Sequence, residues 1–220
     1  MIDGGAVLAS WSTRETNTHA EVLASGVERV LTEAGLRGGR PAGVVVGAGP
    51  GPFTGLRIGL ALAQSLVCVW DVPLYGVCSL DSLALQAIEA GAGQDEFAVT
   101  TDARRREVYW ASYHALTGGP AGPASAYPQR TEGPRVGPAA DVPAVPHIVG
   151  QGVSLYPEEL RRPDALPGSA TWLPEAGDLG RIAESALRSG REAAVLVPPR
   201  PLYLRESDAR VPASMRGAGT

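Results

Sequence analysis

The segment Val44 to Gly59, VVVGAGPGPFTGLRIG, constrains the fold more than any other part of the chain: three β-branched residues enter a glycine-proline turn that opens an apolar helix. Val44-Val45-Val46 follows Arg40-Pro41-Ala42-Gly43 and leaves through small residues and prolines, which predicts a short strand buried on both faces. From Phe53 to Trp70 the pattern is helical and apolar nearly all round: Leu56, Ile58, Leu60, Leu62, Leu66, Val67, Val69 and Trp70. Such a helix must be covered on more than one side. Its cover is either the core of its own chain or another protein.

The flanking segments extend the same alternation. Thr18-His-Ala-Glu21 fits a capping box, and Leu23, Val27, Val30, Leu31 and Ala34 then share one helical face, with Gly35 placed to end the helix. Leu74 to Val77 reads as a second strand and Ser79 to Ala90 as a helix ending at Gly91, so the first ninety residues form the β-α-β-α run of an α/β domain. Phe97 to Asp102 and Glu107 to Tyr113 flank Ala103-Arg104-Arg105-Arg106 as a β-hairpin, which predicts a mixed sheet. From Pro120 to Pro146 seven prolines lie among Gly, Ala and Ser without periodicity, the pattern of a long irregular surface excursion. A strand at His147 to Val149 and a helix from Asp178, its expected N-cap, to Leu187 follow.

Length and composition exclude several classes. The 220 residues suffice for one large domain or two lobes. No uninterrupted apolar run approaches 18 residues and the N-terminus has no signal-peptide pattern, so a cytoplasmic protein with no membrane span is expected. Cys68 and Cys78 are too few for a disulfide framework or a zinc cluster, and read as reduced thiols. A net charge of −4 gives no overall basic field for nucleic acid, so a partner would supply much of any grip on RNA.

The glycine-rich turn fails two phosphate-binding tests. No lysine follows its glycines, since Leu56 follows Gly55, and Thr54 stands where a dinucleotide fingerprint needs its third glycine. A weaker anion site at Gly49, Gly51, Thr54 and Gly55 stays open beside the reading that these residues only tighten the turn; Pro50 and Pro52 lack N–H donors. Arg57, a cation in a first helical turn, opposes the helix dipole and calls for a carboxylate or phosphate partner. Asp81, Asp102 and Glu107 are the acid–base candidates, against the commoner role of solvated or hairpin-capping carboxylates. No G-x-S-x-G elbow is present, and His19, His114 and His147 form no HxxxH metal pair.

Gly49-Pro-Gly-Pro-Phe-Thr-Gly-Leu-Arg-Ile-Gly59 closely resembles the GPGSFTGLRIG signature of the bacterial TsaB (YeaZ) family of tRNA threonylcarbamoyladenosine biosynthesis proteins. Thr18-His-Ala-Glu21, Asp102-Ala-Arg-Arg-Arg-Glu-Val-Tyr-Trp110 and Pro201-Leu-Tyr-Leu-Arg205 resemble further family segments in the same order. The resemblance implies an actin-like ASKHA (RNase H-like) α/β fold of two lobes with mixed sheets, here expected over residues 1–96 and 97–220. It implies a non-catalytic scaffold that activates a TsaD-like paralogue, the enzyme that transfers threonylcarbamoyl to the adenosine beside the anticodon. A nucleotide-dependent transferase or glycoprotease-like hydrolase acting alone is the alternative.

The implied partners are the TsaD-like protein, a TsaE-like ATPase through the complex, a second copy of the chain, and tRNA indirectly. ATP or ADP is then used by the complex rather than bound by this chain, and no metal is held. The interface would be helical, with the exposed side of Leu56, Leu60, Ala63 and Val67 as contact surface and Phe53, Arg57, His19 and Leu23 at or near it. Family members usually begin with a strand ending in D-T-[ST] and a second strand before the segment that here reads Asp3-Gly-Gly-Ala-Val-Leu-Ala9. The N-terminal lobe is therefore expected to lack its first two strands, through a start assigned too far downstream or a truncated gene, leaving Val7-Leu8-Ala9 without a neighbour. Pro52 replaces the signature's serine, and Arg106 adds charge to the hairpin.

Overall fold

The structure is a computed structural model that describes residues 1–13, 19–92, 95–119, 122–163 and 165–205. A small hairpin of β1 (Ile2–Asp3) and β2 (Ala6–Val7) opens the chain. Its tip is held by the Glu184 carboxylate, which accepts from the amides of Gly4 and Gly5 at 2.9 and 2.6 Å. The hairpin gives Val7 a neighbour after all, yet Val7 and Leu8 each stay 49% exposed.

Helix α1 (His19–Glu33) ends before Gly35, which takes the left-handed φ of 75° foreseen for it. The capping box at Thr18 lies outside the described residues. Strand β3 (Val44–Gly49) and strand β4 (Leu74–Cys78) pair in parallel, joined by α2 (Phe53–Trp70). This is the crossover that the strand-turn-helix pattern demands. Helix α3 (Ser79–Glu89) follows β4 directly and is the most buried helix, with Leu80, Leu83, Ala84 and Ala87 closed to solvent.

Four strands build the main sheet in the order β7-β6-β5-β8. Strand β5 (Phe97–Arg104) pairs antiparallel with β6 (Glu107–Gly119) and parallel with β8 (His147–Val149), so the sheet is mixed as expected. Alternation along β5 sends Phe97 and Val99 to one face, where they meet α3, Ala111 and Tyr113. Ala98 and Ile148 face the other way, into Trp110, Val142, Val145, Val153 and Leu160. Two single-turn helices, α4 (Gly152–Leu155) and α5 (Pro157–Leu160), cover that second face. A sheet covered on both faces explains why Phe97, Ala98 and Val99 are apolar in succession at the start of β5.

The expected irregular excursion is corrected here. Gly122–Gly137 is β7, paired along β6 from Gly119↔Gly122 to Val108↔Gly137 with three register shifts. Prolines are compatible with this strand because β7 is an edge, where one row of amides needs no sheet partner.

Helix α6 (Ala176–Ser189) returns to pack Leu179, Ile182 and Ala183 against Val77 and Leu85, and the short α7 (Glu192–Val195) follows it. The α6 N-cap is Glu175; Asp178, expected there, sits in the first turn and accepts from Ser82 Oγ at 2.9 Å and Gln86 Nε2 at 2.8 Å. The tail then adds a bridge from Val197 to Gly76 and a hydrogen bond from the Leu202 amide to the Ala48 carbonyl. The last described residues are thereby carried back to the entry of α2.

Candidate functional site

The site is built around the β3-to-α2 turn. Gly49 has φ of 100°, and a side-chain Cβ there would lie 2.9 Å from Leu56 Cδ1. Leu56 thus fills the hollow of the turn, and glycine is the residue that both the backbone and the packing admit. Pro52 caps α2 with its carbonyl, which accepts from the Leu56 amide at 3.0 Å, and supplies no side-chain hydrogen bond. Gly51 is half-buried, and Thr54 and Gly55 are exposed. The turn therefore offers two amides fewer than a phosphate loop, has its hollow filled by Leu56 and carries no lysine.

Arg57 meets neither a carboxylate nor a phosphate among the described residues. Its guanidinium lies 3.9 Å above the Phe53 ring and its Nε donates to the Tyr203 hydroxyl at 3.0 Å. Phe53 and Tyr203 stack at 5.4 Å between centroids, 27° apart. The ring face offsets what the helix dipole costs a cation at that end. Phe53 is 53% and Tyr203 51% exposed, so a cation and two aromatic rings stand together on the surface. Tyr203 escaped the sequence reading of the site; its signal was the Pro201-Leu-Tyr-Leu-Arg205 segment, whose meeting with α2 is 146 residues away along the chain.

The remaining interface candidates divide by helix face. Leu60 and Ala63, expected to be exposed, are each only 4% exposed, and they are the only buried residues of α2. Leu56, Leu60, Ala63 and Val67 recur at helical spacing, and that stripe docks inward beside β3, leaving Leu56 and Val67 half-buried. Solvent instead reaches Phe53, Arg57, Ala61, Cys68 and Val69, with Val69 80% exposed. On α1, Leu23, Val27, Val30 and Leu31 are all half-buried; the side chain of His19 lies outside the described ones. By length and composition α2 is apolar enough to cross a membrane, yet it packs against β3, β4 and α1.

The carboxylates singled out as acid–base candidates are each engaged. Asp81 is buried and accepts from Tyr113 Oη at 2.8 Å and from Arg130 Nε and Nη2 at 3.3 and 3.1 Å. Burial pushes its carboxyl above the usual range, against the pull of Arg130. Asp102 caps the hairpin turn, accepting from the Arg104 amide at 2.7 Å, and Glu107 pairs with Arg205. Among the described residues no three His, Cys, Asp or Glu side chains gather as a metal site.

Comparison with known proteins agrees with this architecture. Residues 12–137 match the family model "TsaD: tRNA N6-adenosine threonylcarbamoyltransferase". An uncharacterized protein of Mycobacterium tuberculosis is 37% identical over 204 residues, 93% of this chain and 83% of that one. The tRNA threonylcarbamoyladenosine biosynthesis protein TsaB of Escherichia coli is 33% identical over 114 residues, 48% of this chain and 49% of its own length. A Pseudomonas aeruginosa crystal structure described as similar to peptidase YEAZ superposes with a TM-score of 0.71 at 31% identity, over 86% of this chain and 85% of that one. YeaZ from the same organism superposes with a TM-score of 0.67, also at 31% identity, over 84% and 86%. The chain belongs to the family that the TsaD model describes, and within it is a TsaB/YeaZ-like protein with the actin-like ASKHA fold.

Proposed function

We propose that this chain acts in tRNA threonylcarbamoyladenosine biosynthesis as a non-catalytic partner, binding and activating a TsaD-like paralogue through the outer face of α1 and α2. One observation carries the reading: α2 is an 18-residue apolar helix of which only Leu60 and Ala63 are buried. Ile58, Leu62 and Leu66 are half covered and Val69 is bare. A helix pair with this much open apolar surface gains by packing on a second helix pair, and the Phe53–Arg57–Tyr203 cluster has the aromatic and arginine make-up of an interface anchor. Phe53, Leu56, Arg57, Val67 and Leu23 stay at or beside that surface, whereas Leu60 and Ala63 support it from within. The same surface serves self-association when the paralogue is absent, and a TsaE-like ATPase joins through the complex.

On this reading the nucleotide belongs to the complex, the location is the cytoplasm, and tRNA is the substrate of the partner. Reconstitution tests it: the TsaD-like protein from the same genome is assayed for threonylcarbamoyl transfer to a tRNA transcript, with and without this chain. Transfer that depends on both proteins, with none from this chain alone, is the expected result. Transfer by this chain alone, or transfer by the paralogue unchanged by its addition, overturns the proposal.

A further inference from the structure

Strand β7 bulges where it passes Trp110. Trp110 pairs with Arg135 and Ser112 with Glu132, so Gly133 and Pro134 stand opposite the single residue Ala111. Gly133 has φ of 86°, and a Cβ there would lie 2.9 Å from the Trp110 carbonyl oxygen, so the bulge requires glycine. Regular alternation would send Glu132 and Arg135 to opposite faces of the sheet. The bulge instead brings both beside Trp110, where they pair with each other at 2.9 Å. Bulges that re-aim side chains in this way recur next to functional sites.

With Val136, Asp141 and Pro143 these side chains line an open cavity of about 400 Å³, a size that suits a small molecule. Trp110 is 3% exposed, with the Arg135 guanidinium 5.8 Å from its ring centre. Asp141 ends the short 3-10 turn Ala139–Asp141, and a Cβ on Gly137 would lie 2.9 Å from its Oδ2, so that glycine lets the carboxylate close over β7. Among the described residues the Asp141 carboxylate has no ion-pair or hydrogen-bond partner, and none accepts from the Trp110 indole N–H. Ser112 is fully buried on the same face of the sheet, opposite Glu132, and its Oγ also lacks a partner. Buried polar groups left unpaired are rare enough to need a reason.

We infer that this cavity binds a small zwitterion of the α-amino-acid type. Its lining presents both signs of charge at close quarters. The Arg135 guanidinium and the Trp110 N–H are donors suited to a carboxylate, while Asp141 and Glu132 are acceptors suited to an ammonium. Glu132 occupies only one arm of the Arg135 fork, which leaves donors for a ligand, and Asp141 gains the countercharge it lacks. A simple anion would face two carboxylates, and a simple amine would leave Arg135 and the indole unused. The site shares no residue with the α1–α2 face and does not rest on the proposed function.

The test follows the indole N–H signals of the four tryptophans in proton–nitrogen correlation spectra of the full chain, with that of Trp110 assigned from its backbone connectivities. Each proteinogenic α-amino acid is titrated in turn to about 10 mM, beside n-propylamine and propionate as ligands carrying one charge each. At least one amino acid is expected to shift the Trp110 signal saturably while the Trp11, Trp70 and Trp172 signals stay in place. The single-charge ligands are expected to bind at least about tenfold more weakly. Asp141→Asn and Arg135→Gln, each at an exposed position, are both expected to weaken binding of that amino acid by about tenfold or more.

A Trp110 signal that no amino acid moves, equal shifts with propylamine or propionate, or affinity unchanged in either variant each overturns the inference. Should Arg135→Gln not fold, Arg135→Lys keeps the charge but loses the fork, and unchanged affinity there overturns it equally.

Discussion

Arg130→Met removes one side of the buried Asp81–Arg130 pair and should be among the costliest single changes in the chain. Arg130 reaches from the edge strand β7 to the first turn of α3, with its side chain 19% exposed and that of Asp81 6% exposed, 3.1 Å apart. After the substitution Asp81 keeps the Tyr113 hydroxyl at 2.8 Å and the Cys78 thiol, both neutral donors, so a carboxylate stays buried without a countercharge. Breaking a buried pair in this way costs about 3–5 kcal/mol. Asp81→Leu combined with Arg130→Met leaves no charge behind and should cost only about 0–2 kcal/mol, a coupling of about 2–3 kcal/mol.

The cost should depend on pH. Arg130 draws the Asp81 pKa down against burial, so its removal raises that pKa further above the unfolded value. A raised folded pKa favours folding below the unfolded pKa and loses that stability as pH rises. The gap between Arg130→Met and the unaltered chain should therefore widen as pH rises above the ordinary carboxylate range. Urea unfolding at 25 °C, followed by far-UV circular dichroism, measures both effects. A single-variant cost below about 1 kcal/mol, or a double-mutant coupling near zero, refutes the claim that this pair clamps β7 to α3.

Cys78 is buried with its thiol pushed up to about 12 by burial and by Asp81, and burial likewise raises the Tyr113 hydroxyl above its usual value. The unfolded thiol ionises near 9, so stability should be intact below about pH 9 and fall as pH rises toward 12, with Cys78→Ala removing part of that fall; pH-dependent melting checks it. Cys68 is exposed and Cys78 is not, so a thiol reagent should modify one cysteine in the native chain and two in denaturant. Leu60→Glu should unfold the chain, whereas Val69→Glu should leave its melting temperature within a few degrees and abolish association with the paralogue, as read by circular dichroism and pull-down.

How legible these features are in the sequence depends on how local their causes are. Helix α2 reads directly because its apolar period and its proline-glycine entry sit within one segment, and its observed bounds match Phe53 to Trp70. Strand β7 does not, because an edge strand admits prolines that erase the alternation of a central strand; Pro128 lies opposite Ala115 within the ladder. Leu60 and Ala63 belong to a helix apolar on every side, so pattern alone leaves open which stripe faces β3. Asp178 looks like a helix cap until Ser82 and Gln86 claim its carboxylate across the fold. Arg130 and Tyr203 find their partners 49 and 146 residues away, a distance at which no local signal survives.

The central claim is that the open face of α1 and α2 exists to be covered by a TsaD-like protein. Size-exclusion chromatography with light scattering on the chain mixed with the TsaD-like protein from its own genome tests that most directly, run beside the Val69→Glu variant. The account predicts a heterodimer with the unaltered chain and two separate species with the variant. A mixture in which the unaltered chain forms no complex, or in which the variant forms it equally well, contradicts it.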